Sequence, residues 1–401
     1  MATIGIVSDH WGQTAAALAV ASSLQKLGHR VIFYLQEMGP AAQRYEARSK
    51  DVVDAFEGLG IEPIVMSLSA MEVTPWKSSY TPDCWLVMLS PSKQPNIEML
   101  VAHRAQTSVY GYAEVPCGHN APLWTAHARP IDRLAGMFVA KATEDLRVRF
   151  PNTLWEVGPR LSHLRGIDRQ ATGSAAKAAL GMGVDDPWVW HSGGPYPEAV
   201  EVLRHVVEKM VSVKNCHPDR FRRLTLVVTR HGRDEQHERA KEIAQDYWAV
   251  MDAAASAGLT VIENSPGHGR PLPSPRYTNT SPVSHTSLFC ALHYGGVLVT
   301  GHGTDGLNAP YCGYPSILCN ASTAFDPDML SEKGVNRFPL EDGCPHQVGM
   351  LDDLADALDA FLTFRPLRRL YAEFCEHHYP FPKQDAGELV ADKLNDIVRN
   401  Q

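Results

Sequence analysis

Short apolar runs alternate along the chain with longer segments in which apolar residues recur at helical spacing. The first run, "TIGIVS" (3–8), is followed by the helical pattern "TAAALAVASSLQKLGHR" and then by a second run, "VIFYL" (31–35). The runs "CWLVML", "TSVYGY" and "GMFVA" continue the series. Runs of this kind, separated by helices, predict a parallel β-sheet that has helices on both faces.

The alternation stops over residues 159–186, which are basic and rich in Gly and Ala, and then starts again. The second series begins with "WVWHSGGPYPEAVEVLRHVVEKM" and continues with "LTLVVT", "LTVIE", "GGVLVT" and "PSILC". We therefore predict an α/β protein with two Rossmann-like parallel-sheet domains. The predicted boundaries are 1–160 for an N-terminal domain, 161–186 for a linker, 187–383 for a C-terminal domain, and 384–401 for a last helix that can return to the N-terminal domain.

Composition is consistent with this picture and excludes other classes. The 401 residues are enough for two cores, and 44% apolar and 20% charged residues are typical of soluble globular proteins. The net charge of −8 argues against a polycation that coats nucleic acid or anionic membranes. The eight cysteines form no C-x-x-C pair, so neither a zinc ribbon nor a disulfide framework is indicated.

The start of the chain bears on the expected location. "MATIGIVSDHWG" has no basic stretch before an apolar one, and no run of about 18 apolar residues follows anywhere. We therefore expect a cytoplasmic protein without stable membrane association.

The segment "VLVTGHGTDGLNAPYCGYPSIL" (297–318) contains the spacing G-x-G-x-x-G at Gly301, Gly303 and Gly306. In dinucleotide-binding folds this fingerprint follows the first strand of the domain, with several strand–helix units still to come. Here it lies late in the second series, and few further strands are predicted after it. We interpret it as a phosphate-binding loop of another fold, and we predict no nicotinamide or flavin cofactor.

Four motifs, in order along nearly the whole chain, resemble those of the GT-B glycosyltransferases. They are "DHWGQTAAALAVASSLQKLGHRVIFY", "LWEVGP", "VWHSGG" and "VLVTGHGTDGLNAPYCGYPSIL". The resemblance implies two Rossmann-like domains that face a cleft, with a nucleotide sugar, UDP-linked in our prediction, bound by the C-terminal domain. No D-x-D sequence occurs at a convincing strand end, so we predict a metal-independent enzyme.

Transfer from a nucleotide sugar releases a diphosphate, whose charge must be stabilised by cations or oriented N–H groups. Glycine loops that open helices supply such N–H groups, although the glycines can also serve only to turn the chain. Arg230 and His231 follow a strand and can add positive charge, unless they are solvated surface groups. Asn308 stands where the family usually has an acidic residue that binds the ribose. The predicted donor-binding residues are Ser192, Gly193, Gly194, Arg230, His231, Asn264 (on the base side), Gly301, His302, Gly303, Thr304, Asp305 and Asn308.

Candidate proton acceptors lie in the first half. His10 directly follows the first strand, and histidine titrates near neutral pH. In GT-B enzymes that invert the anomeric centre with a catalytic histidine, the base occupies this loop. Asp9 can orient His10, and Glu114 follows another strand and competes for the role. The alternative is that none of these side chains takes part in catalysis.

The expected function is therefore glycosyl transfer to an acceptor hydroxyl, with inversion. The acceptor can be a small molecule, a saccharide or a hydroxymethylated DNA base, in which case the basic stretches "DRFRRL" and "RPLRRL" can contact phosphates. Two alternatives stay open. One is a sugar-nucleotide 2-epimerase, which needs no acceptor, and the other is a catalytically silent nucleotide-binding protein of the same fold.

Overall fold

The computed structural model divides the chain into two units. The first contains Met1–Arg165 and Pro382–Gln401, and the second contains the described residues between Gly166 and Phe381. The structure describes residues 1–8, 11–36, 54, 56–66, 82–89, 105–113, 133–140, 142, 144–159, 164–194, 196–230, 239–264, 274, 276–279, 281–301, 304–319, 347–348 and 354–400.

The described part of the first unit contains a sheet of seven parallel strands in the order β3-β2-β1-β4-β5-β6-β7. Ile4 on the central strand pairs with Val31 on one side and with Cys84 on the other. The strands are β1 (Thr3–Ser8), β2 (Arg30–Gln36), β3 (Ile64–Met66), β4 (Cys84–Met88), β5 (Ser108–Ala113), β6 (Gly136–Val139) and β7 (Leu154–Glu156).

The described part of the second unit contains a sheet of six parallel strands in the order β10-β9-β8-β11-β12-β13. The predicted fold class, two parallel-sheet α/β units, is thus confirmed. The two-residue strand β13 is one that the apolar pattern did not predict. The strands are β8 (Trp188–Ser192), β9 (Thr225–Thr229), β10 (Thr260–Glu263), β11 (Gly296–Thr300), β12 (Ser316–Cys319) and β13 (Gln347–Val348).

Helices accompany both sheets. In the first unit they are α1 (Trp11–Lys26) and α2 (Glu144–Arg149), and in the second they are α3 (Arg169–Ala179), α4 (Glu198–Cys216), α5 (Ala240–Ser256), α6 (His285–Ala291), the short α7 (Thr304–Asn308), α8 (Leu354–Thr363) and α9 (Arg365–His378). The last helix, α10 (Ala386–Arg399), lies in the first unit. A 3₁₀ turn, Ala309–Cys312, follows α7 directly.

The C-terminal helix α10 packs against α1 in the core of the first unit. It begins at Asp385, whose side chain accepts hydrogen bonds from two backbone N–H groups of the first turn, as an N-cap does. Val390, Ala391 and Leu394 on its apolar face are fully buried with residues of α1. Because the His29 ring accepts from the Ala2 N–H, its other nitrogen donates to Asn395, at 3.0 Å.

Residues 166–186, which the sequence analysis assigned to a linker, belong to the second unit. Helix α3 in this segment crosses α6 so closely that a Cβ on Gly173 would lie 2.4 Å from the Cys290 carbonyl oxygen. The buried Lys177 ammonium donates to three backbone carbonyls, those of Val184, Asp186 and Tyr294, at 2.6–3.0 Å. These contacts join the segment to the core of the second unit. Burial lowers the pKa of Lys177 to about 8.

Candidate functional site

Two glycine loops leave the second sheet at the same edge, next to each other. Strands β8 and β11 are parallel neighbours, with His191 paired to Val299, and they end at Ser192 and Thr300. The strand order reverses here, because β8 is followed by β9 on one side and β11 lies on the other. In open α/β sheets, ligands bind outside the carboxyl ends of the strands at such a switch point. We call this place the switch-point edge.

Three side chains from separate segments meet at the switch-point edge. The Ser192 hydroxyl, at the end of β8, donates to the Asp305 carboxylate in the first turn of α7, at 2.5 Å. The same carboxylate oxygen lies 3.5 Å from Nδ1 of His285, the first residue of α6. The Asp305 side chain is 18% exposed and the His285 side chain is 43% exposed. His285 was not among the residues predicted from the sequence.

The tryptophan on β8 holds the His285 ring in a fixed orientation. The Trp190 ring lies edge-on to the imidazole, with centroids 5.5 Å apart, and edge-on to Phe289 of the same helix. Its indole N–H donates to the Thr229 hydroxyl at 3.1 Å. Trp190 is fully buried, so it gives the exposed imidazole a rigid support.

The first glycine loop is partly committed to the sheet. The Gly193 N–H donates to the Thr229 carbonyl at 2.8 Å, which extends the β8–β9 ladder by one residue. The Ser192 hydroxyl is committed to Asp305. Gly194 is buried and lies four residues before α4. Of this loop, Gly194 and the start of α4 are therefore the best candidates for a direct contact with an anion.

A buried carboxyl group, Glu198, lies beside the second glycine loop. It is the first residue of α4, and a Cβ on Gly301 would lie 3.0 Å from its Oε1. Only glycine therefore fits at 301 without movement of the carboxyl. Burial raises the pKa of Glu198 to about 8, and the charge of Glu201 adds to this. The sequence analysis missed Glu198, although an acidic residue in the first turn after a glycine loop is a usable signal.

Arg230, predicted to contact a diphosphate, is instead buried in an ion pair. Its Nε donates to Glu263 at 2.7 Å, and the two side chains are 1% and 0% exposed. The other Glu263 oxygen accepts from the Ser274 N–H at 2.8 Å. The positive charge of Arg230 is compensated inside the fold, where it joins β9 to β10 and to the segment after it.

Asn264, predicted to read the base, has its side-chain amide committed to the backbone. The amide donates to the Val283 carbonyl and accepts from the Val283 N–H, both at 2.8 Å. Asn264 is fully buried. Its side chain therefore anchors the start of α6, and its predicted contact with the base stays a prediction.

Asn308 keeps a buried acceptor that no described residue uses. It ends α7 and is 4% exposed, and its Oδ1 makes no hydrogen bond within the part of the chain that the structure describes. A buried acceptor without a donor is unfavourable, and a ligand hydroxyl or N–H would satisfy it. The geometry is consistent with the predicted contact to a ribose.

The remaining predicted residues lie outside the described residues and stay predictions. This holds for the three candidate bases or orienting groups and for three residues of the donor site: Asp9, His10, Glu114, His231, His302 and Gly303. Of Thr304, only the backbone is described, as the first residue of α7.

Two arginines of the basic stretches have structural roles. Arg220 donates to the Leu362 and Thr363 carbonyls at the end of α8, and the partly buried Arg368 donates to the Leu292 and Gly296 carbonyls. Guanidinium groups at helix ends satisfy carbonyls that have no helical partner.

The described residues contain neither a candidate metal site nor a candidate membrane-spanning helix. Among them, no group of three or more His, Cys, Asp or Glu side chains is arranged to hold a metal ion. Within the same residues, no helix combines the length and the apolar character that a membrane-spanning segment needs.

No protein-family model matches the sequence, and no curated protein matches it. Solved structures do match. S. aureus MnaA with UDP has a TM-score of 0.64 at 12% identity, over 100% of this chain and 97% of that one. The UDP-GlcNAc 2-epimerase of Methanocaldococcus jannaschii, with UDP-GlcNAc and UDP, has a TM-score of 0.60 at 14% identity, over 98% of this chain and 99% of that one. The wall teichoic acid polymerase TagF, soaked with CDPG, has a TM-score of 0.53 at 11% identity, over 100% of this chain and 89% of that one.

At these identities the likeness concerns the fold. It extends over both units, and it confirms the GT-B fold that the sequence motifs predicted.

Proposed function

We propose that this protein binds a UDP-linked sugar at the switch-point edge and inverts a carbon centre of that sugar, as a sugar-nucleotide 2-epimerase does. The observation that carries the proposal is the convergence of two glycine loops, from β8 and β11, on one edge of a sheet with the dinucleotide-binding strand order. The UDP-GlcNAc 2-epimerases among the similar structures support the choice of ligand and reaction.

The polar groups of the edge suit the parts of such a ligand. The N-terminus of α4 presents backbone N–H groups and a positive dipole end, which favour a diphosphate. Glu198 at that terminus has a pKa of about 8, so at neutral pH it is mostly uncharged and does not repel an anion. The amide oxygen of Asn308 accepts a ribose hydroxyl in this proposal.

Epimerisation at C2 requires that a C–H bond breaks on one face of the sugar and forms on the other. The proton leaves to a base and returns from an acid, so the overall reaction consumes and releases none. No acceptor molecule is needed. The groups that move the proton are His10, Asp9 or Glu114 in this proposal, and their roles are predictions from the sequence.

Glycosyl transfer is the second candidate. It is favoured by the similarity to the TagF polymerase and by the ordered motifs that resemble the glycosyltransferases. In that reaction an acceptor oxygen attacks the anomeric carbon while the bond to the diphosphate breaks, so UDP is released only when an acceptor is present.

One experiment separates the candidates. The protein is incubated in D₂O with UDP-GlcNAc alone, and the sugar signals are followed by ¹H NMR. A 2-epimerase produces the C2 epimer and replaces the C2 hydrogen with deuterium. If the sugar stays unchanged alone but UDP appears when an acceptor panel is added, the reaction is a transfer. UDP binding without turnover in either assay would leave a binding protein and contradict both reactions.

Variants of the predicted bases test the proton transfer within the same assay. His10→Ala and Glu114→Ala should each be compared with His293→Ala, which removes an exposed histidine of the second unit. Loss of a general base lowers turnover about 100-fold or more, while UDP affinity should be retained. Unchanged turnover in both variants would contradict the assignment of the base to these two residues.

A further inference from the structure

We propose that His285 binds a phosphate of the nucleotide ligand as an imidazolium, and that Asp305 is the positioning residue that orients its ring. This inference rests on the proposed function, because it concerns a phosphate at the switch-point edge. It assigns a binding role to a residue that neither the motifs nor the glycine loops indicated.

The geometry orients the imidazole. Asp305 lies 3.5 Å from Nδ1, and it also accepts the Ser192 hydroxyl at 2.5 Å, so the carboxylate is fixed from a second side. Ser192 donates its hydrogen to Asp305, so the carboxyl group acts as an acceptor. Nδ1 of the ring faces this carboxyl group. This leaves Nε2 directed away from the carboxylate.

His285 is more exposed than its partner Asp305, as a residue that binds a ligand needs to be. The carboxylate is largely covered, at 18% exposed, whereas the imidazole is 43% exposed. Trp190 supports one edge of the ring and keeps it from rotating freely. A ligand can therefore reach the ring but not easily the carboxylate. An imidazolium carries an N–H on both nitrogens, so Nε2 can donate to a phosphate oxygen while Nδ1 stays with Asp305.

The charge balance at this edge gives His285 a second purpose. Asp305 stands in the short helix that follows the second glycine loop, where an uncompensated negative charge would repel a diphosphate. In the proposed complex, the imidazolium of His285 offsets that charge. Of the described groups near this edge, Arg230 is committed to Glu263, and burial lowers the pKa of His191 to about 3, which keeps it neutral.

The arrangement predicts an unusual pattern of variant effects. His285→Ala removes the donor and also the positive charge that faces Asp305 in the proposed complex. His285→Ala combined with Asp305→Asn also removes the negative charge of Asp305. The double variant should therefore bind the phosphates better than His285→Ala alone, which is not expected if His285 only stabilises the fold.

The test is isothermal titration calorimetry of the full chain with UDP and with uridine. His285→Ala should weaken UDP binding about 10- to 100-fold, the range of a charge-assisted hydrogen bond, and leave uridine binding unchanged. The double variant should recover part of that loss. His293→Ala is the matched control, since it removes an exposed histidine just beyond the other end of α6. Thermal unfolding checks that each variant folds.

Equal weakening of UDP and uridine, or a double variant that binds UDP no better than His285→Ala, would overturn the inference. UDP affinity unchanged in His285→Ala would overturn it while leaving the proposed function intact. If the unsubstituted protein bound neither UDP nor UDP-GlcNAc, the proposed function itself would fail, and this inference with it.

Discussion

The two sheets share one strand order but differ in what surrounds their central strands. Both place their strands as third, second, first, fourth, fifth and sixth, and the first sheet adds a seventh. In the described part of the first unit, the buried polar groups near the centre are small, as in the 3.1 Å contact between the Ser8 and Thr14 hydroxyls. The second unit buries charged and titratable groups instead. They are Lys177, His191, Glu198, Arg230 and Glu263.

The difference shows that topology alone does not make a site. In the first unit, helix α10 from the end of the chain packs its apolar face against the core. The second unit buries charged groups, which costs stability. Arg230 and Glu263 lie at the carboxyl ends of β9 and β10, and Glu198 begins the helix that follows β8. Ionisable groups in buried surroundings are frequent at functional sites, so their concentration at one edge of the sheet supports the choice of this edge as the candidate site.

The largest expected effect is the loss of the buried ion pair of the second unit. Arg230→Met keeps the volume but leaves the Glu263 charge buried, so the free energy of unfolding should fall by about 3 to 5 kcal/mol. Arg239→Met is the matched control, because the Arg239–Glu242 pair is exposed and such pairs contribute little to stability. Urea unfolding measures both. If both variants lowered the free energy of unfolding equally, the buried ion pair would contribute no more than an exposed one. The contrast drawn between the two units would then be wrong.

The matching variant in the first unit removes only apolar contacts. Leu394→Ala creates a cavity between α10 and α1 and should lower the free energy of unfolding by about 3 kcal/mol. Leu370→Ala, at a side chain that is largely exposed, should have little effect. UDP affinity should be the same in both variants. A weaker affinity in Leu394→Ala would contradict the assignment of the nucleotide to the second unit alone.

A smaller effect concerns pH and Glu198. Its pKa in the folded protein is raised to about 8, so between pH 4.5 and 8 the folded chain holds a proton that the unfolded chain has released. The stabilising contribution is complete below pH 4.5 and is lost as the pH rises through about 8. Relative to Glu198→Gln, the unsubstituted protein should lose stability by up to about 1.4 kcal/mol per pH unit between pH 5 and pH 8.

Urea unfolding at several pH values measures this loss, with Glu208→Gln as the control at an exposed position in the middle of α4. The pKa of Glu208 is lowered by its hydrogen bond and charge interaction with Lys209, so any change from this variant should have the opposite sign. A stability difference between Glu198→Gln and the unsubstituted protein that does not change with pH would contradict the raised pKa.

The smallest effect is expected at Asn308. Asn308→Ala removes the buried acceptor and should weaken UDP-GlcNAc binding about 5-fold, which corresponds to one hydrogen bond of about 1 kcal/mol. Asn215→Ala, at an exposed position on α4, serves as the control. Isothermal titration calorimetry measures the affinity of both variants for UDP-GlcNAc. Equal affinities would show that the buried amide oxygen does not face the ligand.

Most of the fold could be predicted from the sequence, because buried parallel strands read as continuous apolar runs. The strands β1, β8 and β9 lie where "TIGIVS", "VWHSGG" and "LTLVVT" placed them. Helix α1 begins at Trp11, earlier than the pattern indicated, since Gly12 and Gln13 carry no apolar signal. Strand β13 has two residues and therefore too little pattern to be recognised.

The site could be predicted only in part. Ser192 and Gly301, at neighbouring strand ends, could be predicted because the end of an apolar run marks each of them in the sequence. The partners of Arg230 and Asn264 could not be predicted, since Glu263 and Val283 lie 33 and 19 residues further along the chain. His285 was missed for the same reason: its contact with Asp305 depends on the pairing of β8 with β11, which a single sequence does not reveal.

The central claim is that the diphosphate lies at the switch-point edge of the second sheet. A crystal structure of the protein soaked with UDP-GlcNAc tests it most directly. The account predicts phosphate oxygens within hydrogen-bonding distance of the Gly194 loop or the segment Gly301–Asp305, with the His285 ring beside them. A diphosphate bound anywhere else on the protein, with this edge free of ligand, would contradict it.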